Sequence, residues 1–112
     1  MKGEQHLRDR ADYERVQKCG RWVRGDLVRI KRFPNDKGIS RYGFIVSKKV
    51  GRAVTRNLIK RRLREIVRQQ DIVAGLDIIV CANPQASTAS FTVLRTDVIQ
   101  LLGRSSLLRV GC

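Results

Sequence analysis

Between Ser47 and Glu65 the chain sets Lys48, Lys49, Arg52, Arg56, Lys60, Arg61, Arg62 and Arg64 against a single acid, Glu65. Cations at this density suit phosphate oxygens, because each hydrogen bond is charge-assisted and an arginine fork can hold one phosphate at two points. Arg56, Lys60, Arg61 and Arg64 are the expected phosphate contacts. Asn57, uncharged among them, can orient an arginine, bind a phosphate oxygen or cap a helix. A basic helix by itself is about as often a solvated face, so the segment needs its setting before it means more. Glu65 reads as an intrahelical partner for Arg61 or Arg62.

Other chemistry finds little support. Cys19, Cys81 and Cys112 are too few and too widely spaced for a zinc site, and His6 does not complete one. Cys81 reads as a small core residue, Cys19 as lying near a helix end, and Cys112 as an exposed terminal thiol. Three unpaired thiols suit a reducing compartment. The aspartates form no compact carboxylate motif of the kind a two-metal nuclease uses, and Gly38, Gly43 and Gly51 make no phosphate-binding loop. Tyr13 can stack on an unpaired base or cover the edge of a core. Phe33, Tyr42 and Phe44 are divided between a groove and the core, and Trp22 is expected to anchor the first strand.

These side chains require elements to hold them. Residues 8–18 suit a first helix with Leu7, Tyr13 and Val16 toward one side, stopped by Gly20. Residues 22–33 read as a strand, the 34–38 segment as a turn, and residues 42–46 as a second strand. Residues 53–70 form the clearest helix, with Thr55 as a possible cap. At 100° per residue Ile59, Leu63, Ile66 and Val67 make one stripe, Asn57, Arg61, Arg64 and Arg68 gather opposite, and Lys60 sits at the edge. Residues 76–82 read as a buried strand. A last helix starts near 88–92 and ends near 102–103, its apolar repeat formed by Phe91, Leu94, Val98, Leu101 and Leu102. The order α-β-β-α-β-α predicts a small α/β sandwich, a sheet with helical cover.

Length and charge bound the answer. The 112 residues allow one domain with flexible ends, and 24 basic against 10 acidic groups give a formal charge of +14. Residues 41–70 hold 10 basic and 1 acidic group, a local +9, while residues 71–112 balance at 3 and 3. The excess therefore belongs to one face, and nucleic acid is the commonest polyanion to meet it. No apolar run approaches the ~20 residues of a membrane span, and the charged N-terminal segment lacks a secretory core. The expectation is an intracellular protein.

The run from Phe44 to Arg64, with Ser47-Lys48-Lys49-Val50-Gly51-Arg52-Ala53-Val54-Thr55-Arg56-Asn57 at its centre, resembles the basic motif of the bacterial ribonuclease P protein family. Asp12-Tyr13, Val16 and the 77–82 strand followed by Pro84 extend the resemblance over most of the chain. It implies an α/β sandwich with a left-handed βαβ crossover. It also implies a protein subunit that assists a catalytic RNA in endonucleolytic removal of the 5′ leader from precursor tRNA. Magnesium would be used mainly by that RNA, no organic cofactor is expected, and whether the protein binds a metal is left open. The catalytic RNA and precursor tRNA are the implied partners, with no membrane, in a bacterial cytoplasm. The matched positions imply RNA contacts for Arg56, Asn57, Lys60, Arg61 and Arg64, with Lys48, Lys49 and Arg52 beside them and Arg68 on the same helix side. A cleft between the first helix and the sheet would receive the leader through Tyr13, Val16, Lys31 and Phe44. Two positions depart from the pattern: Leu58 where the family often has a basic residue, and Gln17 where an aromatic can stand. The alternatives are a general RNA-binding or ribosome-associated module and a protein-only metallonuclease.

Overall fold

The computed structural model describes residues 6, 7, 9–35 and 37–105. Its elements are helix α1 (Arg10–Cys19), strands β1 (Arg21–Arg24), β2 (Val28–Pro34) and β3 (Arg41–Ile45), helix α2 (Ala53–Arg68), strand β4 (Leu76–Ala82), a 3₁₀ segment (Pro84–Thr88) and helix α3 (Phe91–Arg104). The sheet order is β1-β2-β4-β3. Strand β2 runs antiparallel to β1 and β4, whereas β3 and β4 are parallel and joined across α2, a βαβ unit in a mixed sheet.

The stretch 22–33, read as one strand, is a hairpin. Gly25 and Asp26 interrupt it, and the Gly25 amide donates to the Val28 carbonyl at 2.8 Å. Asp97 on α3 completes the turn by accepting from the amides of Leu27 and Val28 at 3.1 and 3.2 Å. A side chain 70 residues away thus satisfies backbone donors that the turn leaves over. Thr55 lies inside α2 rather than capping it; the N-cap is Arg52, without a side-chain capping bond. Helix α3 does have a cap, the Ser90 hydroxyl accepting from the Val93 amide. Phe91, expected in the apolar repeat of α3, is exposed, and burial in that helix begins at Leu94. Arg8, Cys112 and the tail beyond Ser105 lie outside the described residues, as does Asp36 in the 34–38 turn.

Alternation along the strands divides the core in two. Val28, Ile30, Tyr42, Ile78, Val80 and Ala82 face α2 and α3, meeting Ile59, Leu63, Ile66 and Val67 of the first and Leu94, Val98, Leu101 and Leu102 of the second. Ile79 and Cys81 face the other way, under Leu7 and Val16, with Tyr13, Trp22, Phe33 and Ile45 packed around them. Helix α1 covers only part of that second face.

One polar network seats α1. Arg41 donates from Nε and Nη2 to the two oxygens of Asp77 at 2.8 and 2.7 Å and from Nη1 to Asp12 at 3.0 Å. Asn35 adds a bond to Asp77 at 2.8 Å. Asp77 is 1% exposed, so removing Arg41 would leave a buried carboxylate unpaired, at a cost of about 3–5 kcal/mol. The bonds to Asp77 hold the Arg41 guanidinium charged even above its ordinary range.

Candidate nucleic-acid interface

Helix α2 is built as its period requires: the four residues of the apolar stripe are its four buried ones. Asn57, Arg61, Arg64 and Arg68 are exposed on the other side, and Lys60 is half-buried at the edge. Lys48 and Lys49 are exposed in the turn before the helix, closed by the Val50 amide donating to the Ser47 carbonyl, and Arg52 is exposed at the N-cap. Arg56 sits apart from Arg61: by helical period it lies one turn before Ile59 on the buried stripe. Its Nε is buried and, among the described residues, has no hydrogen-bond partner. Glu65 pairs with Arg68 and accepts from Gln69 at 3.0 Å, rather than meeting Arg61 or Arg62. Both observed partners lie at the helical spacings of three and four on its C-terminal side.

The start of α2 runs against the helix dipole. The first turn holds no acid, the N-cap is an arginine, and Arg56 follows. Helix N-termini favour anions, so cations here are unfavourable until a negative partner arrives. Exposed Val54, at 81%, lies in the same turn.

The four residues expected to form a leader cleft do not share a surface. Tyr13 stands over β3: a methyl built on Gly43 would lie 2.2 Å from its hydroxyl oxygen. Phe44 is the next residue along that strand and packs with the α2–α3 core on the opposite face, as does buried Tyr42. Val16 is fully buried beneath α1 and belongs to the core. Lys31 is on the Tyr13 face but only 7% exposed, its ammonium donating to the Gln17 carbonyl. Strand alternation assigns faces only once register is known, and register comes from pairing. Burial pushes the Tyr13 hydroxyl and the Cys81 thiol above their ordinary values.

Beside Tyr13 the same face carries a grouping the sequence did not assemble, adding Arg29 to Trp22 and Lys31. Arg29 and Lys31 lie 5.2 and 4.9 Å from the centre of the Trp22 ring. The missed signal was the Gly25-Asp26 turn, which sets Trp22 directly opposite Lys31.

No group of three or more His, Cys, Asp or Glu side chains is placed to hold a metal ion among the described residues. The two buried carboxylates, Asp12 and Asp77, are both occupied by Arg41. Among the described residues the donor set therefore offers no cluster that fits a resident catalytic metal.

The arrangement is that of a small α/β RNA-binding protein with one strongly basic helix and a sheet face half covered by another. The family model for ribonuclease P matches residues 1–106. The ribonuclease P protein component of Dehalococcoides mccartyi is 42% identical over 108 residues, spanning 96% of this chain and 90% of that protein. Among solved structures, the ribonuclease P protein of Staphylococcus aureus superposes with a TM-score of 0.87 at 30% identity, covering 96% of this chain and all of that one. That of Thermotoga maritima gives 0.81 at 31%, covering 90% and 97%. The chain belongs to the ribonuclease P protein family, the bacterial subunits that assist a catalytic RNA in removing the 5′ leader from precursor tRNA. Its partners are accordingly that RNA and precursor tRNA, and the endonuclease is the ribonucleoprotein as a whole. No helix among the described residues is long and apolar enough to cross a membrane.

Proposed function

We propose that the chain acts as one RNA-binding domain in a bacterial cytoplasm and divides its two RNA partners between two surfaces. The exposed side of α2, with Asn57, Arg61, Arg64 and Arg68, and the approach formed by Lys48, Lys49 and Arg52 meet phosphates of the catalytic RNA, with Lys60 and Arg56 at the margin. The face beside α1, centred on Tyr13 and bordered by Lys31, receives the single-stranded leader. The observation that carries the first assignment is the anti-dipolar start of α2, where cations and exposed helix amides converge without an acid in the first turn. A phosphate there removes the conflict, accepts from backbone and side chains together, and gives the orphaned Arg56 Nε a charged neighbourhood that favours it. The protein supplies no nucleophile in this scheme; it lowers repulsion between two RNAs and leaves the metal-dependent step to the catalytic RNA.

The test is the double substitution Arg61→Ala with Arg64→Ala, assayed for association with the catalytic RNA across a salt series. Two phosphate contacts removed should flatten the log affinity against log salt slope by about two, while the urea midpoint stays near wild type because both side chains are solvent-facing. An unchanged slope would remove α2 from the RNA interface.

A further inference from the structure

Strands β1 and β2 break a rule of sheet design. Their register sets Arg21 opposite Arg32 on one face and Arg24 opposite Arg29 on the other, two directly facing like-charge pairs, the second on the same face as Trp22 opposite Lys31. Like charges directly across a strand pair are destabilising. The hairpin strands together hold five cations and no acid, and among the described residues none of these five has a carboxylate in ion-pair distance. Such local conflicts are expected where function demands them.

The cations on the Tyr13 face are also positioned. Asn83 Oδ1 accepts from Arg29 Nη1 at 2.7 Å, and the guanidinium lies against the Trp22 ring with its remaining donors unassigned. Lys31 is fastened to the Gln17 carbonyl and the same ring. Trp22 is half-buried, on the edge strand of the sheet. It shares a face with the Tyr13 site: Trp22 and Tyr13 pack against the same Leu7, Val16, Ile79 and Cys81 cluster, and Arg29 and Lys31 stand opposite Cys81 and Ile79 on β4. From Gly43 on β3 to β1 is three strand spacings, roughly 14 Å.

We infer that Trp22, Arg29 and Lys31 form a second contact for single-stranded RNA, taking a leader nucleotide distal to the one at Tyr13 by stacking on the indole and pairing its phosphate with Arg29. The inference rests on the leader face proposed above. An unpaired strand is the occupant that fits, because a flat sheet face with an aromatic and flanking cations binds splayed bases, whereas duplex RNA offers it only phosphates. The roughly 14 Å separation means that a leader of one nucleotide cannot reach both contacts, whereas a longer one can.

Trp22 is the only tryptophan in the chain, so it reports on itself. Titration of the full chain with an unpaired oligoribonucleotide should quench its emission in step with binding followed by an end label; unchanged emission at saturation would overturn the contact. In the reconstituted holoenzyme, affinity for precursor tRNA with a long leader is compared with affinity for the same tRNA carrying one leader nucleotide. The advantage of the long leader should shrink on the order of tenfold in Trp22→Leu and recover in Trp22→Phe. Arg29→Gln, which keeps the ring in place, should lower the salt slope for the long leader by about one. If Trp22→Leu and Arg29→Gln keep the full advantage while Tyr13→Ala loses it, the second contact is wrong and the Tyr13 face stands. If none of the three changes it, both readings fall. Equal losses on long-leader, short-leader and mature tRNA would assign the hairpin to the catalytic RNA instead and overturn the inference.

Discussion

Gly43 shows how one residue governs the relation between α1 and the sheet. The Tyr13 ring lies where a Cβ at position 43 would stand, within 2.2 Å of its hydroxyl oxygen and 2.6 Å of the adjoining ring carbon. Any side chain there must displace the Tyr13 ring from β3. Gly43→Ala should therefore cost about 1–3 kcal/mol, the usual penalty of overpacking, seen as a lower urea midpoint, and should weaken long-leader binding with it. Tyr13→Ala combined with Gly43→Ala should recover part of that stability by emptying the contested space. A glycine within a strand reads from sequence as a weak point or a close approach. Choosing between them required knowing which aromatic lies above it, and that aromatic is 30 residues away in the chain.

Helix α2 was the most legible element, because its period alone separates a stripe of four apolar residues from a charged side, and burial follows that division. Leu63 is fully buried in the centre of the stripe, so Leu63→Ala should lower stability by about 2–5 kcal/mol in urea unfolding. Exposed arginines on the same helix should each move it by no more than about 0.5 kcal/mol. The β1–β2 hairpin was less legible. Its residues alternate well enough to read as one strand, and the Gly25-Asp26 turn is weak until Asp97 from α3 accepts the amides it leaves free. Helical periodicity is local, so α2 could be read alone. Pairing register is a relation between segments, which is why the faces of Phe44, Trp22 and Lys31 were not accessible from either segment by itself.

Across the whole molecule, burial holds Tyr13, Tyr42 and Cys81 above their ordinary values of 10.0 for the phenols and 9.0 for the thiol. The folded state then keeps protons that the unfolded chain releases. Their contribution is complete below the unfolded values and is lost as pH rises through the unfolded and toward the folded ones. The urea midpoint should decline from about pH 9 upward, and Cys81→Ala should flatten the start of that decline. Under native conditions Cys81 should react with an alkylating reagent only as fast as the protein opens, whereas exposed Cys19 reacts freely. Composition and order along the chain determined the +14 charge, its concentration in residues 41–70 and the basic side of α2, since these depend on residue type and helical period alone. Only the tertiary structure decided which face Tyr13 shares, that Val16 is buried within that face and Phe44 lies on the opposite one, and that two arginine pairs and Trp22 meet across a hairpin. Those outcomes depend on strand pairing and on helix α3 reaching back to the hairpin turn, contacts between residues that are distant in sequence.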